Sequence, residues 1–184
     1  MFLVAGVVGL VFGGADQYLG SLFLLGPWTS TVSGVSATWL VLPFVFGATQ
    51  TGQRRAMLAG LTAVMCALAG YFLMTLSPVE NVPLSQFPSD LIHLVPSQLA
   101  NIGGGLVTAP LFGLLGQRWR TERSWISAAA LAAALCLEPL ARFAAGRLAS
   151  PDFVWLIEVS LGLCLAAYFA RAGVSHRRRL RVSP

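Results

Sequence analysis

The stretch RAMLAGLTAVMCALAGYFLMTL, residues 55–76, decides the class of fold. After Arg55 it carries no charged side chain, and it ends before a proline-rich segment that starts at Ser77. A helix of this length rises about 1.5 Å per residue and so crosses the roughly 30 Å hydrocarbon core of a bilayer. The stretch therefore predicts a membrane-spanning helix.

The rest of the chain repeats this pattern. Of its 184 residues, 56% are hydrophobic and only 10% are charged, whereas about 25% of the residues of a soluble domain are charged. This composition excludes an ordinary soluble globular fold. We predict an all-α, polytopic membrane protein in which residues 1–172 form one bundle of six transmembrane helices, followed by a basic tail, 173–184. The predicted spans run over about 2–25, 30–49, 55–76, 97–117, 124–147 and 152–172, with an external loop at 77–96.

The arginines predict the orientation of these spans. All twelve basic residues are Arg, and ten of them fall in segments that lie on one side of the membrane if both termini are cytoplasmic. The positive-inside rule favours that orientation. Their position at the ends of apolar blocks indicates contact with an anionic membrane surface, so the sequence predicts a lipid bilayer and no nucleic acid as partner. The ten are Arg54, Arg55, Arg118, Arg120, Arg123, Arg171, Arg177, Arg178, Arg179 and Arg181.

Four ionisable side chains lie inside the predicted spans, where each is costly and needs a reason. Asp16 lies about 14 residues, or roughly 21 Å, along a span that starts in the cytoplasm, and Glu138 reaches a similar height. Arg142 and Glu158 lie close to the outer ends of their spans. This one-sided polarity predicts a ligand-binding pocket that opens to the outside. The predicted ligand-binding residues are Asp16, Gln17, Tyr18, Gln98, Asn101, Glu138, Arg142 and Glu158.

The pair Glu138 and Arg142 allows two interpretations. The residues are four apart, with Glu on the N-terminal side, which is the favourable arrangement on a helix. In one interpretation they neutralise each other and stabilise the bundle. In the other, Arg142 binds a substrate carboxylate or phosphate through its planar guanidinium group while Glu138 orients it. A purely structural pair leaves Asp16 and Glu158 without cationic partners, so at least one of them is expected to face water or a ligand; Asp16 could instead accept a hydrogen bond from an N–H group within the bundle.

Other features predict packing or contacts with partners. Ala5, Gly9 and Gly13 form a stripe of small residues that favours helix association, either within the bundle or as a docking surface for another protein. Gly103 to Gly105 predict close packing or a helix break. The 77–96 loop is either a cap over the outer face or a passive connector.

Neither a metal nor a cofactor is predicted. Asp90 and His93 lie three apart in the loop, but too few further ligands are near them in sequence for zinc. The cysteines, Cys66, Cys136 and Cys164, are far apart inside apolar blocks and lack the spacing of a metal site. No phosphate-binding loop, dinucleotide fingerprint or nucleophile elbow is present, so we expect that separate proteins supply any energy from ATP.

Four segments together resemble a known group of proteins. They are GLVFGGADQYLGSL (9–22), PLFGLLGQRWR (110–120), LEPLARF (137–143) and WLIEVSLGL (155–163). They look like a family of small, six-span membrane proteins typical of actinobacteria that is catalogued as a domain of unknown function. This resemblance implies a bacterial inner, or cytoplasmic, membrane protein.

More distantly, the size, the topology and the outward polarity are similar to the substrate-binding subunits of energy-coupling-factor vitamin transporters. That resemblance implies that the outer loops and spans four to six hold a vitamin or its precursor. It also implies that the first helices dock onto a transmembrane scaffold driven by ATPase subunits.

Three functions follow from the sequence. The first is a small-solute-binding membrane subunit of a transporter, energised by separate partners. The second is a membrane enzyme, such as an isoprenoid cyclase, in which Asp16, Glu138 and Glu158 act as acids. Its cation-stabilising aromatic residues would be Tyr18, Trp39 and Phe143. The third is a structural or accessory membrane protein without a small ligand.

Overall fold

The computed structural model describes residues 1–80, 83 and 87–182, and this part of the chain is built of helices. Five helices are long and apolar enough to cross a membrane: α1, α4, α6, α7 and the part of α8 up to Ala172. These lengths and compositions are those of a multi-pass membrane protein in a lipid bilayer, and they confirm the predicted all-helical class. The helices are α1 Phe2–Ser21, α2 Trp28–Ser33, α3 Ala37–Ala48, α4 Gln53–Thr75, α5 Phe87–Ser97, α6 Leu99–Glu122, α7 Trp125–Ala144 and α8 Phe153–Val182.

The predicted second span, 30–49, differs from its prediction because it is broken into two helices. The short α2 ends at Ser33, and α3 begins at Ala37. The 12 residues of α3 cover only about 18 Å, which is less than the thickness of the hydrocarbon core. Gly34 and Ser36 lie at the break, and both residue types are poor helix formers that favour helix ends.

The direction of the helices follows from their contacts. Gly9 of α1 lies against Ala63 of α4, and Gly13 lies against Ala67, so α1 and α4 run parallel. The helices α7 and α8 are antiparallel, because Arg142 lies over Trp155 while Gly162 contacts Cys136. Both pairings agree with a chain that changes direction from one span to the next. We call the end of the bundle with Arg54, Arg55, Arg118, Arg120 and Arg123 the arginine-rich end.

The small-residue stripe of α1 packs inside the chain. Ala5 is fully buried, and a side chain at Gly9 or Gly13 would collide with the backbone of α4. The partner surface that the sequence predicted on this stripe is therefore occupied by α4. A protein that meets α1 would meet its opposite, apolar face, which exposes Leu3, Val4, Val7, Val8, Leu10 and Val11.

Glycines also bring three helices together in the half of the bundle near the arginine-rich end. The Cβ of a side chain at Gly47 of α3 would overlap the backbone of Gly113 in α6, and one at Gly116 would overlap Phe44. Gly60 of α4 is similarly close to Ala109. The backbones of α3, α4 and α6 therefore meet closely in this half of the bundle.

The connecting segments complete the fold. In the 77–96 loop, a turn of 3-10 helix at Pro78–Glu80 precedes α5, and residues 81, 82 and 84–86 lie outside the described residues. The helix α6 continues through Gly103 to Gly105 without the break that was one prediction for this run. The backbone of α8 extends to Val182, into the predicted basic tail, but the side chains beyond Ala172 lie outside the described part.

Candidate functional site

A cavity of about 600 Å³ lies in the half of the bundle away from the arginine-rich end. Its volume is within the roughly 300–1,000 Å³ that is typical of small-molecule sites. Residues from α1, the broken span, α4, α6 and α7 line it, and several of them are exposed, so the cavity is open. Its hydroxyl and amide groups come from Ser30, Ser33, Ser36, Gln98, Asn101 and Thr108. Its larger apolar and aromatic residues are Trp39, Leu40, Val64, Leu68 and Tyr71.

The cavity brings together four of the eight predicted ligand-binding residues. Asp16 and Arg142 line it from α1 and α7, and Gln98 and Asn101 line it at the start of α6. The other four, Gln17, Tyr18, Glu138 and Glu158, do not line it. Each residue on a helix turns by about 100°, so the neighbours of Asp16 point elsewhere although they lie at the same depth.

Asp16 is half-buried at the wall of the cavity. The side chain of Trp39, whose indole N–H is a hydrogen-bond donor, lies close to the Asp16 carboxyl group. Gly13 and Gly14 precede it, and at Gly13 α1 comes into direct contact with the backbone of α4. The close approach of these two helices positions Asp16 beside the α4 residues of the cavity.

Trp39 and Tyr71 form an aromatic wall. Their ring centroids are 6.4 Å apart, and the ring planes are inclined by 68°. Phe12 also packs against Trp39 in an edge-to-face arrangement, with ring centroids 5.5 Å apart. The sequence indicated Trp39 only as a possible cation stabiliser, and it missed Tyr71. A tyrosine near the end of a span is ordinarily an interfacial anchor, so its position gave no signal of a site.

Glu138 and Arg142 form hydrogen bonds with the residues at the break in the second span. The Glu138 carboxylate accepts hydrogen bonds from the backbone N–H groups of Ser36, at 2.8 Å, and Ala37, at 2.5 Å. Arg142 donates from Nε to Glu138 Oε1 at 2.8 Å, and its Nη2 donates to the Gly34 carbonyl and to Ser36 Oγ. Backbone groups at membrane depth need such partners. The contacts support the structural interpretation of this pair.

The other end of α3 is capped by a second arginine. Arg120 Nη1 donates to the carbonyl oxygens of Ala48, at 3.1 Å, and Thr49, at 3.0 Å. A helix carries a partial positive charge at its N-terminus and a partial negative charge at its C-terminus. The carboxylate of Glu138 and the guanidinium group of Arg120 therefore stabilise α3 from both ends.

Glu158 is buried behind this arrangement. Its side chain is only 4% exposed, and neither carboxylate oxygen has a hydrogen-bond partner among the described residues. It lies close enough to Glu138 and Arg142 to interact electrostatically with both. Arg142 also lies over the ring of Trp155, 5.2 Å from its centroid. The structure therefore places Glu158 beside the Glu138–Arg142 pair at the start of α3, and it does not line the cavity.

No metal centre is visible in the described part of the chain, where no three His, Cys, Asp or Glu side chains lie together. The chemistry that the cavity offers is that of recognition, through one carboxyl group, one guanidinium group, amides, hydroxyls and an aromatic wall. Comparison of the chain with protein-family models, with curated proteins and with solved structures finds no match.

Proposed function

We propose that this chain is a small-solute-binding subunit of a bacterial inner-membrane transporter that takes its solute from outside the cell. One observation carries the proposal: Asp16, Arg142, two amide side chains and an aromatic wall line a single open cavity of about 600 Å³. Small-molecule sites typically combine an apolar wall with a few polar groups of this kind. The cavity is confined to one half of the bundle, which is the property of a pocket rather than of a continuous pore.

The proposed topology has six crossings and cytoplasmic termini. It is supported by the five long helices and by the shorter apolar helix α3, which together with α2 would form the sixth crossing. The positive-inside rule assigns the arginine-rich end to the cytoplasm. The cavity then opens to the opposite side, where a solute would arrive.

Separate partners would energise transport. The proposal of a membrane scaffold and ATPase subunits rests on the distant resemblance to substrate-binding subunits of vitamin transporters. The exposed apolar face of α1 supports a partner inside the membrane, since a helix of a scaffold can pack there as readily as lipid. Co-purification of ATPase subunits with the chain from mild detergent would favour this arrangement.

An isoprenoid cyclase is the alternative in the enzyme class. One observation favours it, because Asp16 and Trp39 share the cavity. Glu138 is engaged with the backbone of α3, and Tyr18 and Phe143 are exposed outside the cavity. Binding is the stronger proposal because Asp16 alone of the three predicted acids lines the cavity. Product formation from prenyl substrates would favour the enzyme, and an empty cavity with no ligand would favour an accessory protein.

Two adjacent glycines allow a direct test of the site. A Cβ at either Gly103 or Gly104 meets no atom within 4 Å, but only Gly104 lines the cavity. Leucine at Gly104 should therefore fill the cavity without disturbing the fold, and leucine at Gly103 is the matched control. Native mass spectrometry of the purified chain should detect a retained small molecule in the wild type and in Gly103→Leu, but not in Gly104→Leu. Equal retention in both variants would place the ligand elsewhere.

A further inference from the structure

The charges around the cavity are unbalanced. Arg142 is the only basic residue among its described lining residues, and its guanidinium group already forms an ion pair with Glu138 at 2.7 Å. Its Nε and Nη2 atoms are engaged with Glu138, Ser36 and the backbone of Gly34. This cation is therefore compensated before any ligand arrives.

Asp16 has no such compensation. The one ion pair in the described part of the chain joins Arg142 and Glu138, so no basic side chain there pairs with Asp16. Trp39 lies close to it, and the Tyr71 phenol interacts electrostatically both with Asp16 and with a second acid, Glu80. A negative charge among apolar walls is costly without a positive partner. A cationic group placed beside Asp16 would therefore be stabilised.

The aromatic wall stands beside the same carboxyl group. Trp39 and Tyr71 both line the cavity, as Asp16 does. The faces of aromatic rings attract cations within about 6 Å of their centroids, and Trp is the strongest of them. An acid next to such rings is the arrangement that recognises organic ammonium groups.

We infer that the solute is an organic cation, with its positive group between the Asp16 carboxylate and the Trp39 and Tyr71 rings. The inference rests on the proposed function and specifies the class of solute. The amides of Gln98 and Asn101, at the open side of the cavity, offer donors and acceptors to a neutral polar part of the same molecule.

Three probes of one shape and different charge test the inference. They are choline, its neutral isostere with carbon in place of the quaternary nitrogen, and the carboxylate of the same carbon skeleton. Titration calorimetry of the detergent-purified chain should show binding of choline at least tenfold tighter than of either analogue. This comparison uses only the wild type, so it does not depend on whether a variant folds.

The variant Asp16→Asn should weaken choline binding at least tenfold, because the amide keeps the shape of the acid without its charge. Asp152→Asn is the matched control, since Asp152 is an exposed acid that does not line the cavity. Wild-type binding of the anion or the neutral probe in preference to choline would overturn the inference. If that binding were also lost in Gly104→Leu, the proposed function would stand. Absence of binding by all three probes would also overturn the inference. The proposed function would then still be tested separately, by whether the wild type retains a native ligand that Gly104→Leu loses.

Discussion

Two glutamates that the sequence treats alike have opposite roles in the structure. Glu138 accepts two backbone hydrogen bonds and pairs with Arg142, whereas the oxygens of Glu158 have no partner among the described residues. Hydrogen bonds to a charged group contribute about 1.5–3 kcal/mol each, and a buried group without a partner is a cost. We therefore expect Glu138→Gln to lower the free energy of unfolding by about 1–3 kcal/mol. Glu158→Gln should leave it unchanged or raise it.

The measurement is thermal unfolding in detergent, followed by tryptophan fluorescence, with each variant as the control for the other. A larger loss in Glu158→Gln than in Glu138→Gln would contradict the assigned roles. The spacing of Glu138 and Arg142 predicted that they could pair, but it did not predict what the pair holds. Ser36 is 102 positions from Glu138 in sequence, and a single sequence gives no signal of so distant a contact.

At the scale of helices, the packing of α1 on α4 depends on individual glycines. A Cβ at Gly13 would overlap the Ala67 carbonyl, but one at Gly14 would lie 3.6 Å from the nearest atom, an ordinary contact. We expect Gly13→Ala to destabilise the fold, because α1 must move away from α4. Gly14→Ala should be neutral or stabilising by up to about 1 kcal/mol, since alanine favours the helix. Unfolding temperatures of the two variants test this, and equal temperatures would contradict the packing.

The short helix α3 gives a second prediction at this scale. Arg120 caps its C-terminus, while the exposed Arg118 has no hydrogen-bond partner among the described residues. Arg120→Ala should therefore destabilise the fold by about 0.3–1 kcal/mol, and Arg118→Ala should have a smaller effect. Hydrogen exchange at the backbone amides near the end of α3 should increase only in Arg120→Ala. Equal exchange in both variants would show that the cap has no effect.

The break before α3 could not be predicted from hydropathy. Residues 30–38 are rich in serine and threonine, but the apolar residues that follow from Trp39 dominate a window average over 30–49, so the average does not mark the break at Gly34 to Ser36. The broken span is stabilised by Glu138 and Arg142 of α7 and by Arg120 of α6, all remote in sequence. Length and composition predicted the positions of the long helices, because a long helix pairs its backbone N–H and C=O groups within itself. They did not predict the broken span, because side chains of other helices supply hydrogen-bond partners for its backbone groups.

At the scale of the whole molecule, the sequence predicted the depth of the polar residues better than their direction. Asp16, Gln98, Asn101 and Arg142 meet at one cavity, as expected from their similar heights. Height follows from the rise per residue, which is the same in every helix. Which side of a helix faces the cavity depends on how the helices rotate against each other, and the glycine contacts decide that only in the folded chain.

The proposed topology makes the last prediction. Leu25 lies between α1 and α2 and Thr51 between α3 and α4, and both are exposed, so the pair brackets the broken span. In a background with Cys66, Cys136 and Cys164 replaced by serine, Leu25→Cys on intact cells should react with a membrane-impermeant maleimide. Thr51→Cys should react only after the cells are permeabilised, because it belongs to the arginine-rich end.

Two exposed acids give a matched control for this labelling. Glu122 lies at the arginine-rich end and Asp152 at the opposite end, before α8. Asp152→Cys should behave like Leu25→Cys, and Glu122→Cys like Thr51→Cys. Labelling of both Leu25→Cys and Thr51→Cys in intact cells would mean that α2 and α3 do not cross the membrane and that both ends of this segment lie on the outer side. The chain would then have five crossings, the two termini would lie on opposite sides, and the arginines could no longer all face the cytoplasm.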